Sequence, residues 1–354
     1  MSVVTQNRNK AMDLLRVIAC LMVVSVHTNV AWKHQEISLL TWKSAIGFDS
    51  FCRGSVLVFF MLSGAFGRST DVKKALKKAF RYMVIFFLFS VFYSVSDGIL
   101  DWSMGRGLSK ELLINRIFEY KYHLWFMPAF AFLIAVSPFV NRLFNSEKGR
   151  VGIKIILVVW ALGLLLRTAQ IFTEGTPYLA AINSQALYGI AMILTESSLG
   201  CYCLGRFLVE KKRSKRENLL FFLVWIAASI AIWVLTVFYS KRAGVVDERW
   251  MDDVTVFIVL EAIGLFCFIS GLDVRGKVAD IAEMIAPYTF GIYLIHVFFI
   301  DWLRRVKVLG DSTVCGLKIF PVIQAPIRLA IVFAASLISV MLYAGLKDKL
   351  IKKK

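Results

Sequence analysis

Long apolar runs alternate with short polar connections from one end of the chain to the other. Ten of these runs reach about 20 residues, enough for a helix to cross the hydrocarbon core. They lie near 12–31, 51–67, 82–100, 123–141, 154–172, 187–209, 219–240, 254–272, 287–303 and 324–346. The pattern predicts an all-α fold, a polytopic membrane bundle of about ten transmembrane helices. The first run is too long for a cleavable signal peptide and lacks a small-residue cleavage site, so it is expected to stay as a helix. Connections are short and no internal repeat is present. A single membrane domain over residues 1–354, with no appended soluble domain, is therefore expected. Between Asp101 and Tyr122, the longest external connection, Lys110 to Phe118 places apolar residues at helical spacing and predicts an interfacial helix.

Composition agrees with this reading. Hydrophobic residues make up 58% of the chain, charged residues 19%, and mean hydropathy is +0.68, against roughly 45–50% apolar and 25% charged in soluble domains. Lys and Arg set the orientation, because cytoplasmic loops carry their excess. With the N-terminus inside, most of the 42 basic residues fall on inner connections and tails, notably Arg68 to Arg81, Arg206 to Arg216 and Lys347 to Lys354. Both termini are thus predicted cytoplasmic. The net charge of +18 is accounted for by inner loops facing anionic membrane lipids, so no nucleic-acid partner is expected. Six cysteines are scattered in apolar sequence without metal-ligand or redox spacing and read as small core residues; no metal is expected.

Ionisable residues inside these runs are where chemistry would reside, since each is costly there. Arg16 and His27 lie eleven positions apart in the first run, which puts them on one helix face and about 16 Å apart along the axis. His27, in the outer half on the predicted topology, suits a general base toward a hydroxyl; a plain interhelical hydrogen bond explains it equally well. Arg16 suits a phosphate, or a structural pairing with Asp13. The separation prevents both from serving one reacting atom. A long phosphate-bearing carrier would touch both. Lys78 and Arg81 belong to a basic run that is either a solvated inner face or a phosphate dock. His123 and Trp125 open the fourth span, as an aromatic belt or as the rim of a sugar-binding mouth. Tyr293 and His296, three apart on one face of the ninth span, form either a pair lining the cavity of His27 or a contact between helices. Glu196 and Glu261 each need a partner, with Arg167 or a histidine available. Ser63 and Gly64 imply close helix packing.

Taken together the segments resemble the acyltransferase-3 family of integral-membrane acyltransferases. The resemblance rests on Arg16-x10-His27, on Phe-Phe-Met-Leu-Ser-Gly at 59–64, His-Leu-Trp-Phe at 123–126, and Phe-Gly-Ile-Tyr-Leu-Ile-His at 290–296. It implies transfer of an acyl group, usually acetyl from cytoplasmic acetyl-CoA, to a glycan or other acceptor of the cell envelope in a bacterial plasma or inner membrane. It also implies an Arg-x-x-Arg element after the second helix; here Lys78-Ala79-Phe80-Arg81 replaces the first arginine by lysine, which keeps a point charge but loses the bidentate fork. Some members carry an extracytoplasmic hydrolase-like domain. Without one, either the membrane domain acts alone on an envelope glycan or lipid-linked saccharide, or a separate extracytoplasmic transferase completes the transfer. The resemblance extends to the membrane half of vancomycin-resistance serine racemases, which keeps a transporter or flippase as the alternative. On the acyltransferase reading, Arg16, Lys78 and Arg81 would hold acetyl-CoA. His27 would act as the catalytic base, with Tyr293 and His296 at the oxyanion, and the acceptor would enter past His123 and Trp125.

Overall fold

The computed structural model describes residues 9–29, 36–37, 39–107, 109–173, 181–187, 197–251, 255–310, 313–318 and 321–351. Nearly all of them are helical. Helix α1 (Lys10–Thr28) starts where the Asn9 side chain accepts from the Met12 amide, satisfying one of the donors a helix start leaves open. It is followed by α2 (Leu40–Ser50), α3 (Ser55–Phe66), α4 (Val72–Ser103) and α5 (Lys110–Glu119). A 3₁₀ turn at Tyr122–Trp125 leads into α6 (Phe126–Phe144), with Pro128 in the first turn, where its missing N–H costs nothing. Then come α7 (Glu147–Thr173), α8 (Ser197–Glu210), α9 (Lys215–Ala243), α10 (Val256–Ser270), α11 (Gly276–Ile285), α12 (Thr289–Arg305) and α13 (Pro321–Ile351). A two-stranded hairpin, Thr313–Val314 with Leu317–Lys318, caps the α12–α13 connection.

Among the described residues, nine helical segments are long and apolar enough to cross a membrane. The tenth expected run, 187–209, lies partly outside the described residues, as does Glu196; its second half is α8. The apolar side chains Phe87, Leu88, Val158, Leu223 and Leu342 remain exposed on the outer helices, as a lipid-facing surface requires. This is a multi-pass helical membrane protein. Helix α1 lies at its centre, packed against α3, α10, α11, α12 and α13.

The second crossing differs from the sequence expectation. It runs from Leu40 to Phe66 and is broken between Ser50 and Ser55. Lys43, Asp49 and Arg53 dilute the apolar pattern there and hide the first half. At the break, Asp49 pairs with Arg53, and the Gly54 amide donates to the Glu261 carboxylate at 3.0 Å. A buried amide released from the helical ladder has to find such a partner. Glu261, fully buried, is thus bonded to a helix break and not to a histidine.

Gly64 and Gly205 bring α3 and α8 into close backbone contact. A Cβ on Gly64 would fall 1.8 Å from the Tyr202 carbonyl oxygen, and one on Gly205 would fall 2.0 Å from that of Met61. Backbone meets backbone at both points, so neither flexible side chains nor rotamer changes can make room. Gly64→Val is expected to cost at least about 1–3 kcal/mol of stability, read as loss of monodisperse protein on size exclusion in detergent. A variant as stable as the native chain would mean that α3 and α8 separate without cost.

Candidate functional site

The face of α1 that carries Arg16 also carries Cys20, Val23 and His27, four, seven and eleven positions on. Arg16, Cys20 and Val23 line a cavity of about 710 Å3 between α1, α3, α4, α6 and α12, within the roughly 300–1,000 Å3 of ordinary ligand pockets. One end is basic and polar, with Arg68, Ser69, Lys74 and Lys78. The middle is apolar, with Phe59, Leu62, Phe130 and Leu133. Val23 of α1, Phe126 of α6 and Tyr293 of α12 also line it, and His27 follows one helical turn beyond Val23.

The pairing of Arg16 with Asp13 forms, and it leaves Arg16 at the cavity wall. Its guanidinium meets the Asp13 carboxylate at 3.4 Å and lies 5.7 Å from the Phe66 ring centroid, while the same side chain lines the cavity. Lys74 and Lys78, one turn apart on α4, face the cavity beside the buried Ala75 and Ala79. Arg81 is exposed and does not line it; Tyr82 holds the position one turn past Lys78. Near the basic end a polar network fixes the α3–α4 connection. Arg206 donates to the Gly67 carbonyl at 2.8 Å, and the Tyr202 hydroxyl donates to the Asn141 side-chain oxygen at 2.9 Å. Ser63 lines the cavity with its hydroxyl bonded to the Phe59 carbonyl.

Beyond the deep end, three of the four histidines of the chain come together. His27 Nδ1 lies 2.7 Å from His296 Nε2. The rings are 12° from parallel with centroids 5.0 Å apart, the spacing of an in-plane N–H···N bond and too long for face-to-face stacking. His296 Nδ1 in turn lies 2.7 Å from the Tyr293 carbonyl oxygen. A carbonyl can only accept, so His296 carries its proton on Nδ1 and offers the Nε2 lone pair; His27 then donates from Nδ1. This leaves Nε2 of His27 as its basic nitrogen. The chain of bonds selects the tautomer.

His123 is the third member, 6.2 Å from His27 and 5.2 Å from His296 between ring centroids, and 1% exposed. The Tyr293 hydroxyl donates to the His123 carbonyl at 2.7 Å, so that hydroxyl is a pin for the turn and not a pair with the His296 ring. Two residues before His123, Lys121 bridges Asp97 of α4 and Asp301 of α12, each at 2.9 Å. Trp125 is partly exposed and packs on Phe126; the exposed Tyr122 instead presents its ring edge-on to His27 at 5.3 Å.

Sequence reasoning missed Cys20 and Tyr82 as cavity residues, although Cys20 shares the face of Arg16 and His27. Lys74 belongs to the basic run that the sequence reads as a solvated face or a phosphate dock, and Tyr122 to the candidate rim around His123. The approach of Tyr122 to His27 had no signal, because only the fold brings the two together.

A multi-pass membrane protein with an intramembrane cavity, basic at one end and followed by a histidine cluster at the other, is the class that fold and site define. Residues 9–345 match the family model described as an acyltransferase domain, Acyl_transf_3, and the chain belongs to that family. It is a membrane acyltransferase. No curated protein and no solved structure matches the chain.

Proposed function

We propose that the protein moves an acetyl group from cytoplasmic acetyl-CoA to a hydroxyl of a bacterial cell-envelope glycan or related lipid-linked saccharide. The observation that carries this reading is the hydrogen-bonded chain Tyr293–His296–His27, which leaves a basic nitrogen one turn beyond a cavity with a basic entrance. The phosphates of the donor would meet Arg68, Lys74 and Lys78, with Arg16 one step further in, and the apolar middle would hold the extended pantetheine arm. The termini and the basic end then face the cytoplasm. The acceptor would approach from the opposite end, past Tyr122 and Trp125.

In the reaction, His27 Nε2 takes the proton of the acceptor hydroxyl as its oxygen attacks the thioester carbonyl. The C–S bond then breaks, and the proton passes from His27 to the departing sulfur, giving the ester and CoA. A positively charged His27 strengthens its Nδ1–H bond to His296, since charged donors bond more strongly.

Envelope glycans compared by mass spectrometry between cells carrying the native protein and cells carrying His27→Ala test the acceptor class. An acetyl ester present only with the native protein is expected; identical glycans would remove the envelope acceptor. The donor site makes a second prediction. Lys78→Ala is expected to raise the KM for acetyl-CoA by about tenfold, the equivalent of ~1.4 kcal/mol, with kcat unchanged. Arg81→Ala should leave both nearly unchanged. Initial rates of CoA release against acetyl-CoA concentration check this, and the reverse ranking would move the phosphate site off the cavity.

A further inference from the structure

The ring of His123 is buried at 1% exposure, yet neither of its nitrogens has a hydrogen-bond partner among the described residues. The Leu294 carbonyl lies beside the ring and accepts from the Tyr93 hydroxyl at 2.8 Å. A buried polar group left unpaired is costly, and such groups in native structures call for a reason. The nearest neighbours of His123 are other rings: Tyr93 at 5.0 Å, His296 at 5.2 Å, Tyr293 at 5.7 Å, Tyr122 at 5.8 Å and His27 at 6.2 Å between centroids, all close to edge-on.

The backbone of His123 is also positioned: its carbonyl is pinned by the Tyr293 hydroxyl, and Lys121, two residues earlier, is clamped by Asp97 and Asp301. A preorganised N–H donor held in a water-poor site without a partner is what stabilises charge that appears only during reaction. His27 and His296 spend their facing nitrogens on each other. His123 does not.

We propose that His123 is a catalytic residue, the hydrogen-bond donor to the oxyanion of the tetrahedral intermediate, and not a part of the acceptor-binding rim. The inference rests on the acyl-transfer reading with His27 as base. As the acceptor oxygen bonds to the thioester carbon, the carbonyl π pair moves onto its oxygen, and the His123 N–H bonds to that oxygen. When the pair returns, the C–S bond breaks. The proton of His123 is not transferred at any stage. The ring therefore needs no charge change and stays neutral throughout.

The test is single-turnover CoA release from acetyl-CoA by purified protein, with a whole envelope-glycan extract as acceptor. His123→Phe keeps ring volume and removes the donor. Its rate is expected to fall about 10²- to 10³-fold, as on loss of one oxyanion donor, with acetyl-CoA affinity and the shape of the pH–rate profile unchanged. His123→Gln, which keeps an N–H, should recover at least about tenfold over His123→Phe and guards against a folding defect in the aromatic variant. A packing role would move affinity and stability instead. A His123→Phe rate within about threefold of native, or no recovery in His123→Gln where about tenfold is expected, overturns the assignment. If the native protein itself releases no CoA, the acyl-transfer reading falls first and takes this one with it.

Discussion

His27→Ala is expected to lower acyl transfer by about 10²- to 10⁴-fold, the usual contribution of a positioned general base, while the protein remains folded in membranes. The magnitude follows from the chemistry. A hydroxyl is a weak nucleophile, and without a base its proton must leave to water in a site lined by aromatic rings. The fold should tolerate the change, because His27 is only partly buried and α1 is held along its length by Leu15, Ala19, Val24 and other fully buried residues. Because the base works only when neutral, the native rate should fall on the acid side of its pH profile, and His27→Ala should lose that limb. Stopped-time assays of CoA release across pH check both points. Full activity in the variant would remove the assignment.

His296→Leu carries the next largest effect. His296 does not line the cavity, so acetyl-CoA affinity should stay as it is. What the variant loses is the lone pair that holds the proton of His27 on Nδ1. His27 is then free to populate the other tautomer, with its proton on the nitrogen that must act as base. The developing imidazolium also loses its charge-assisted partner. A fall in kcat of about 10- to 100-fold is expected, the range typical for partners that orient a functional histidine. A KM for acetyl-CoA within error of native would accompany it. A change in KM with kcat preserved would instead make His296 part of the binding surface.

The membrane class of the fold was legible because crossing a bilayer imposes a length and an apolar composition that any reader of the chain can count. Family membership was legible from four short motifs in order. The break at Ser50 to Ser55 was not, because the Gly54 amide it releases finds its partner in Glu261, 207 positions away. The site divides along the same line. Arg16, Cys20, Val23 and His27 share a face by helical geometry alone. The bond from His27 to His296 spans 269 positions, and nothing in either local sequence shows that His296 would spend Nδ1 on its own helix and turn Nε2 toward α1. Tyr293 and His296 were rightly placed on one face, but the Tyr293 hydroxyl went to the His123 backbone. The short side-chain reach of a helix surface says which residues are neighbours, and tertiary packing decides what they bond to.

Delivery of an acyl donor through this cavity to His27 can be followed in sealed liposomes containing the purified protein, with radiolabelled acetyl-CoA and an envelope-glycan extract. CoA release and label are measured together. CoA is expected to form in step with label esterified to glycan, and neither product with His27→Ala. Accumulation of glycan or small molecule across the liposome membrane without CoA release would contradict acyl delivery, and would make the cavity a transport pathway.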